Sequence, residues 1–196
     1  MAFSTVALER LGLRVRPEEF ARLVEEALAD ILPPRRDTSP RQALTPEEVR
    51  ALEEGGAVLE PRAHGAESPL VRTAAEYAAL LAAGFTVRQA AECLGVDASR
   101  VRQRLAAYTL YGIKQPSGWR LPRFQFTERG LVPGFERVAP RLIGVDPVSV
   151  ARWFTGPHLD LTLEDDDTPI APRTWLELGL DPGVVTALAD ELHGGA

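Results

Sequence analysis

Apolar positions along the chain fall into local patterns, and each pattern predicts an element. From Phe20 they recur at Phe20, Leu23, Val24, Ala27, Leu28 and Ile31, the spacing of an amphipathic helix. Pro17 opens that helix, Glu18 and Glu19 complement its dipole, and Pro33-Pro34 stops it. The stretch from Pro33 to Leu44, rich in Pro, Arg and Ser, predicts a linker. Thr45-Pro46-Glu47-Glu48 then restarts a helix with a capping box, and Gly55-Gly56 ends it.

A second block predicts three helices and a hairpin. The first helix covers roughly Pro69 to Ala83 and ends at Gly84. Thr86 caps the next, with Gln89 as its reciprocal partner, and Val87, Ala90, Ala91 and Leu94 form the inner face. Gly95 supplies the left-handed residue that closes it. Asp97 caps the third helix, where Val101 and Leu105 point inward. That leaves Ser99, Arg100, Arg102, Gln103 and Arg104 around its exposed side. Thr109 to Ile113 is β-prone and Trp119 to Leu121 can pair with it across Pro116-Ser117-Gly118. Lys114 and Arg120 then lie near the hairpin tip. A support helix, a tight glycine turn and a polar second helix are the layout of a helix-turn-helix. Arg and Gln reach base edges, and Ser99 near a helix start suits a phosphate.

The last third has shorter patterns. Asp146-Pro147 opens a helix with Val148, Ala151, Trp153 and Phe154 apolar. Leu159, Leu161 and Leu163 alternate like a half-buried strand or an extended arm. Two helices follow from Arg173, broken at Gly179 to Pro182.

Charge sharpens the picture. Between Phe85 and Phe126 stand seven basic side chains against two acidic ones. That is +5 in a chain of net charge −6, so the rest carries −11. A basic island in an acidic protein points to a polyanion, most naturally DNA. From Thr127 onward there are five basic and twelve acidic residues, so this part is not expected to bind DNA by itself.

Composition excludes several classes. With 196 residues, 45% hydrophobic and 26% charged, the chain can bury a core as one large domain or two small ones. One cysteine, Cys93, allows no internal disulfide and no cysteine-based zinc site, and His64, His158 and His193 lack ligand spacing. No signal-peptide pattern and no apolar run of about 18 residues is present, so a cytoplasmic protein without a membrane span is expected. The run Glu164-Asp165-Asp166-Asp167 lacks the glycine and alternating spacing of a calcium loop and reads as a solvated loop. No Ser/His/Asp set, phosphate loop or nucleophilic cysteine motif appears, so neither an enzyme nor a cofactor is expected.

Residues 85 to 126 resemble the excisionase/MerR-type winged helix. The resemblance rests on Thr86, Val87, Ala90, Ala91, Leu94, Gly95, Val96, Ser99, Val101 and Arg102, then Trp119, Arg120, Leu121 and Pro122. The region after residue 127 is similar to the toxin-binding part of Xre/MbcA/ParS-type antitoxins. Ala151, Trp153-Phe154, Pro157, Leu161, Pro172, Trp175-Leu176, Gly179, Val184, Val185, Leu188 and Leu192 carry that likeness. Two departures are a winged helix in place of a repressor-like bundle, and the second tryptophan, Trp175.

These readings predict a mainly α protein. Residues 1–66 are a helical N-terminal region, 67–126 a winged helix-turn-helix with a short β-hairpin wing, and 127–196 a small acidic helical module that binds a partner. Thr86, Arg88, Ser99, Arg100, Arg102, Gln103, Arg104, Lys114 and Arg120 are the expected DNA contacts. Trp153, Phe154, Leu159, Leu161, Trp175 and Leu176 are the expected partner contacts, with a core role for the aromatic residues left open. The resemblances imply a type II antitoxin that neutralises a cognate toxin, a RES-type NAD-consuming enzyme first or a PIN-type ribonuclease second, and represses its own operon. A stand-alone transcription regulator and an excisionase-like architectural protein are the alternatives. Two half-sites on double-stranded operator DNA favour a homodimer, with the Phe20 to Ile31 stripe as its interface or as core.

Overall fold

A computed structural model of the chain describes residues 8–9, 13, 15–31, 50, 55, 69–163 and 167–193. The expected linker at 33–44, the capping box at Thr45 and Glu48, and the acids at 164–166 lie outside the described residues. What is described is mainly helical with two small antiparallel sheets.

Helix α1 (Pro17–Ile31) packs on helix α2 (Pro69–Ala83). Phe20, Val24 and Ala27 of α1 meet Ala74 and Ala78 of α2, and all five are buried. The small side chains Ala74 and Ala78 of α2 leave space that the larger Phe20 and Val24 of α1 fill. The described part of the Phe20 stripe is therefore core against α2, not a free surface for a second copy.

A short strand, β1 (Phe85–Thr86), leads into α3 (Val87–Leu94) and α4 (Ala98–Ala106). Strands β2 (Ile113–Gln115) and β3 (Gly118–Leu121) form a hairpin, and β1 pairs with the far edge of β3 to give the order β1-β3-β2. The hairpin starts later than its sequence pattern implied. Tyr108 sits at φ 56 directly after α4, and Gly112 lies against Leu105 and Trp119, where a Cβ would meet Leu105 Cδ2 at 2.6 Å. The chain is still turning there, so ladder pairing begins only at Ile113.

After a single 3₁₀ turn (Arg123–Gln125), β4 (Phe126–Thr127) and β5 (Gly130–Leu131) make a second small hairpin. Helix α5 (Phe135–Val138), a 3₁₀ turn (Ala139–Leu142), α6 (Pro147–Thr155), α7 (Pro172–Glu177) and α8 (Pro182–Glu191) complete the fold. Asp146 caps α6 by accepting from the Val148 and Ser149 N–H groups at 3.0 and 2.9 Å.

The largest core joins the last third to the middle of the chain. Phe124, Phe135 and Phe154 form its centre, with Phe135–Phe154 edge to face at 5.1 Å and Phe124–Phe154 at 5.6 Å. Leu80 and Tyr111 pack on this cluster from the middle block. A second core holds Ala90, Ala91, Val101, Leu105, Leu121 and Phe126 together. Phe124 thus enters one core and Phe126 the other, so the packing does not break at residue 126.

Candidate nucleic-acid interface

The geometry of α3 and α4 follows from local sequence. Thr86 holds extended backbone; its hydroxyl accepts from the Gln89 N–H at 3.3 Å, and Gln89 Oε1 accepts from the Thr86 N–H at 2.8 Å. Gly95 closes α3 in the left-handed region at φ 64, and the Val96 N–H returns to the Ala91 carbonyl at 3.0 Å. Asp97 stands at the N-cap of α4, but its carboxylate makes no capping hydrogen bond.

Helix α4 then divides cleanly. Val101 and Leu105 are 0% and 5% exposed, while Ser99, Arg100, Arg102 and Gln103 are exposed and Arg104 is half-exposed. Arg100 Nη1 donates to Gln103 Oε1 at 3.4 Å, which places both side chains on one strip of the surface. Arg100, Arg102 and Arg104 form no ion pair among the described residues, so their charge is uncompensated. Arg88 on α3 differs, facing Glu92 one turn on at 3.8 Å.

The hairpin places its two cations on opposite faces. Lys114 pairs in register with Trp119, and Ile113 with Arg120; cross-strand partners share a face. Trp119 packs on the α3–α4 core, so Lys114 belongs to that side. Arg120 instead lines a cleft of about 370 Å³ with Glu19, Arg22 and Glu26 of α1. Register therefore puts Lys114, not Arg120, on the hairpin face that packs on α3 and α4. Thr86, too, is occupied locally by its cap.

One positioning residue escaped the sequence reading. Gln125 is fully buried; its Nε2 donates to the Tyr111 and Pro122 carbonyls at 2.7 and 3.2 Å, and its Oε1 accepts from the Tyr111 N–H at 3.0 Å. It fastens the α4–β2 connection to the segment after β3. The available signal was one amide between two phenylalanines in Arg123-Phe124-Gln125-Phe126. Burial raises the phenol of Tyr111 above its ordinary value, with smaller contributions from Asp146 and Tyr77.

The expected partner contacts need correction. Phe154, Leu161 and Leu176 are 0%, 0% and 1% exposed. Phe154 and Leu176 are core side chains, because the Val150–Phe154 face of α6 closes over Phe124 and Phe135; Leu161 is buried outside that cluster. Trp153 and Trp175 are half-buried against the same cluster, and Trp175 Nε1 donates to the Asp181 carbonyl at 3.0 Å. Trp153 Nε1 is buried without a hydrogen-bond partner among the described residues. Leu159, at 83% exposed, is the member of the set that offers a free surface. The segment around it folds back, with the His158 N–H on the Ile170 carbonyl at 3.0 Å and the Ile170 N–H on the Leu161 carbonyl at 2.8 Å. It is a closed loop, not an extended arm.

Among the described residues, no cluster of His, Cys, Asp and Glu is arranged to hold a metal ion, and no helix is long and apolar enough to cross a membrane. No protein-family model matches the chain, and no curated protein matches it. Among solved structures the chain is similar to the NMR structure of Rv2175c. Identity is 23%, 56% of this chain and 80% of that chain are covered, and the TM-score is 0.42. A likeness at that score bears on neither fold nor activity.

Proposed function

We propose that residues 67–126 are a winged helix-turn-helix that reads double-stranded DNA, and that the chain acts as a cytoplasmic transcription regulator. The observation that carries this reading is the exposed strip of α4. Its arginines have no carboxylate partner among the described residues, while Val101 and Leu105 anchor the helix to the rest of the motif. An arginine can span guanine O6 and N7, and a glutamine adenine N6 and N7, so Arg100, Arg102 and Gln103 specify sequence. Lys114 and Arg88 bind phosphates, which position the protein without reading bases. Gel-shift titration of the full chain against the DNA upstream of its own gene tests this. Nanomolar binding at physiological salt, lost in the Arg100/Arg102/Gln103 triple alanine variant, is the expected result. Equal binding by the variant would end the reading.

The antitoxin reading adds a toxin, RES-type first and PIN-type second by resemblance. It is supported by the acidic last third and by the exposed Leu159 and Leu178, at 83% and 56%. An acidic surface with apolar anchors complements a cleft built for anionic substrates. Its test is growth rescue by the full chain when the adjacent gene is induced, with rescue lost in Leu159→Asp/Leu178→Asp. A non-toxic neighbour, or unimpaired rescue by that variant, would leave the plain regulator. A homodimer on two half-sites belongs to either reading, and light scattering of the DNA complex measures it.

A further inference from the structure

A groove of about 350 Å³ runs between α2, the Arg123–Gln125 turn and α6. Its floor is apolar, made by Leu80, Phe124, Val148 and Ala151. Its rim carries Glu76, Arg123 and Arg152. Arg152 Nε donates to Glu76 Oε2 at 2.8 Å across the groove, so those two charges cancel. Arg123 is different. Its guanidinium lies over the Phe85 ring at 4.4 Å and forms no ion pair among the described residues. The ring contact does not neutralise the guanidinium, which leaves an unpaired cation on an exposed side chain at the rim of an apolar surface.

We propose that this groove binds a small amphipathic monoanion, an apolar body bearing one carboxylate. The apolar part covers Leu80, Phe124 and Ala151. The carboxylate accepts from the Arg123 guanidinium, the bidentate geometry for which that group is shaped. A neutral alcohol of the same length lacks the charge partner, and a dianion brings a second charge that the Arg152–Glu76 pair does not offset. The volume lies at the lower end of the range for small-ligand sites, about 300–1,000 Å³. Because α2 leads into the α3–α4 unit and α6 belongs to the last third, the ligand binds where the two halves of the molecule meet.

Calorimetric titration of the full chain with octanoate, and separately with 1-octanol, tests the site. Octanoate is expected to bind saturably at one per chain, and octanol about tenfold or more weaker. Arg123→Gln should bring octanoate down to the level of octanol. Ala83→Phe, at an exposed position on the groove wall, should block both, with an unchanged circular dichroism spectrum showing that each variant is folded. Absence of saturable octanoate binding, equal binding of acid and alcohol, or binding that survives both substitutions overturns the proposal.

Discussion

Helices α4 and α6 are both nine residues long, and both bury apolar side chains on one face. Their arginines fare differently. On α6, Arg152 is tied to Glu76 of α2, and Val148, Val150 and Phe154 go into the core. On α4, two buried side chains suffice, and the arginines face outward without partners among the described residues. One helix joins parts of the molecule; the other presents a surface. The difference lies in what surrounds each helix. Helix α6 is packed by α2, α7 and the Phe124 turn, whereas α4 packs its inner side on α3 and the core they share with the hairpin.

The largest expected effect comes from removing the centre of the α6 side. Phe154→Ala deletes the ring shared by Phe124, Phe135 and Trp153. Denaturant unfolding should show a loss of about 3–5 kcal/mol. Because Phe124 lies three residues after the hairpin, the DNA binding proposed above should fail with stability. A stable variant that loses only a protein partner would restore Phe154 as an interface anchor and break the comparison.

Two glutamines sharpen it next. Gln125→Leu orphans the Tyr111 N–H and carbonyl in a buried site, at about 1–3 kcal/mol each. Gln103→Ala, fully on the surface, should change stability by less than about 0.5 kcal/mol. Equal unfolding midpoints for the two variants would contradict the buried clamp.

On the α4 side the effect appears in binding. The Arg100/Arg102/Gln103 triple alanine variant should unfold like the wild type but lose about 1–3 kcal/mol of discrimination per base pair read. Selection from a randomised duplex pool measures this directly. A variant that selects the same site as wild type would make α4 a packing helix like α6.

A gradual effect is expected in alkali. The folded-state value of Tyr111 is raised, mainly by burial, so the fold favours the neutral phenol. Its contribution is intact below about pH 10 and is lost as pH rises beyond that toward the folded value. The thermal midpoint should therefore decline from about pH 10 upward, and decline less in Tyr111→Phe. Identical profiles for the two proteins would remove Tyr111 from the account.

Local chemistry was legible in the sequence and tertiary placement was not. The Thr86–Gln89 capping box, Gly95 as the left-handed closing residue, the Val101–Leu105 face and the Asp146 cap each depend on residues within one turn, and spacing alone specifies them. Whether Phe154 and Leu176 face a partner or a core depends on Phe124 and Phe135, which approach only after folding. Strand β1 pairs with β3 across 35 residues of sequence and is only two residues long, too short for any alternation to show. The mainly helical fold was read correctly. Its division at residue 126 reflects a charge boundary that packing ignores, since Leu131 touches both cores.

The smallest and most discriminating effect concerns the hairpin. Charge alone makes Lys114 and Arg120 equivalent, and both would be expected on the DNA backbone. Register separates them: Lys114 shares a face with Trp119 beside α4, whereas Arg120 shares one with Ile113 and looks into the cleft containing Glu19 and Glu26. Glu26 is paired with Arg22 in that cleft, which leaves Glu19 to attract the guanidinium and repel phosphate, so the α1 side of the hairpin is a poor place for DNA. Lys114→Ala should flatten the slope of log K against log salt by about 0.9, one released phosphate counterion. Arg120→Ala should leave that slope within error. A loss of slope in Arg120→Ala with none in Lys114→Ala would turn the hairpin over, and with it the side of the molecule that meets DNA.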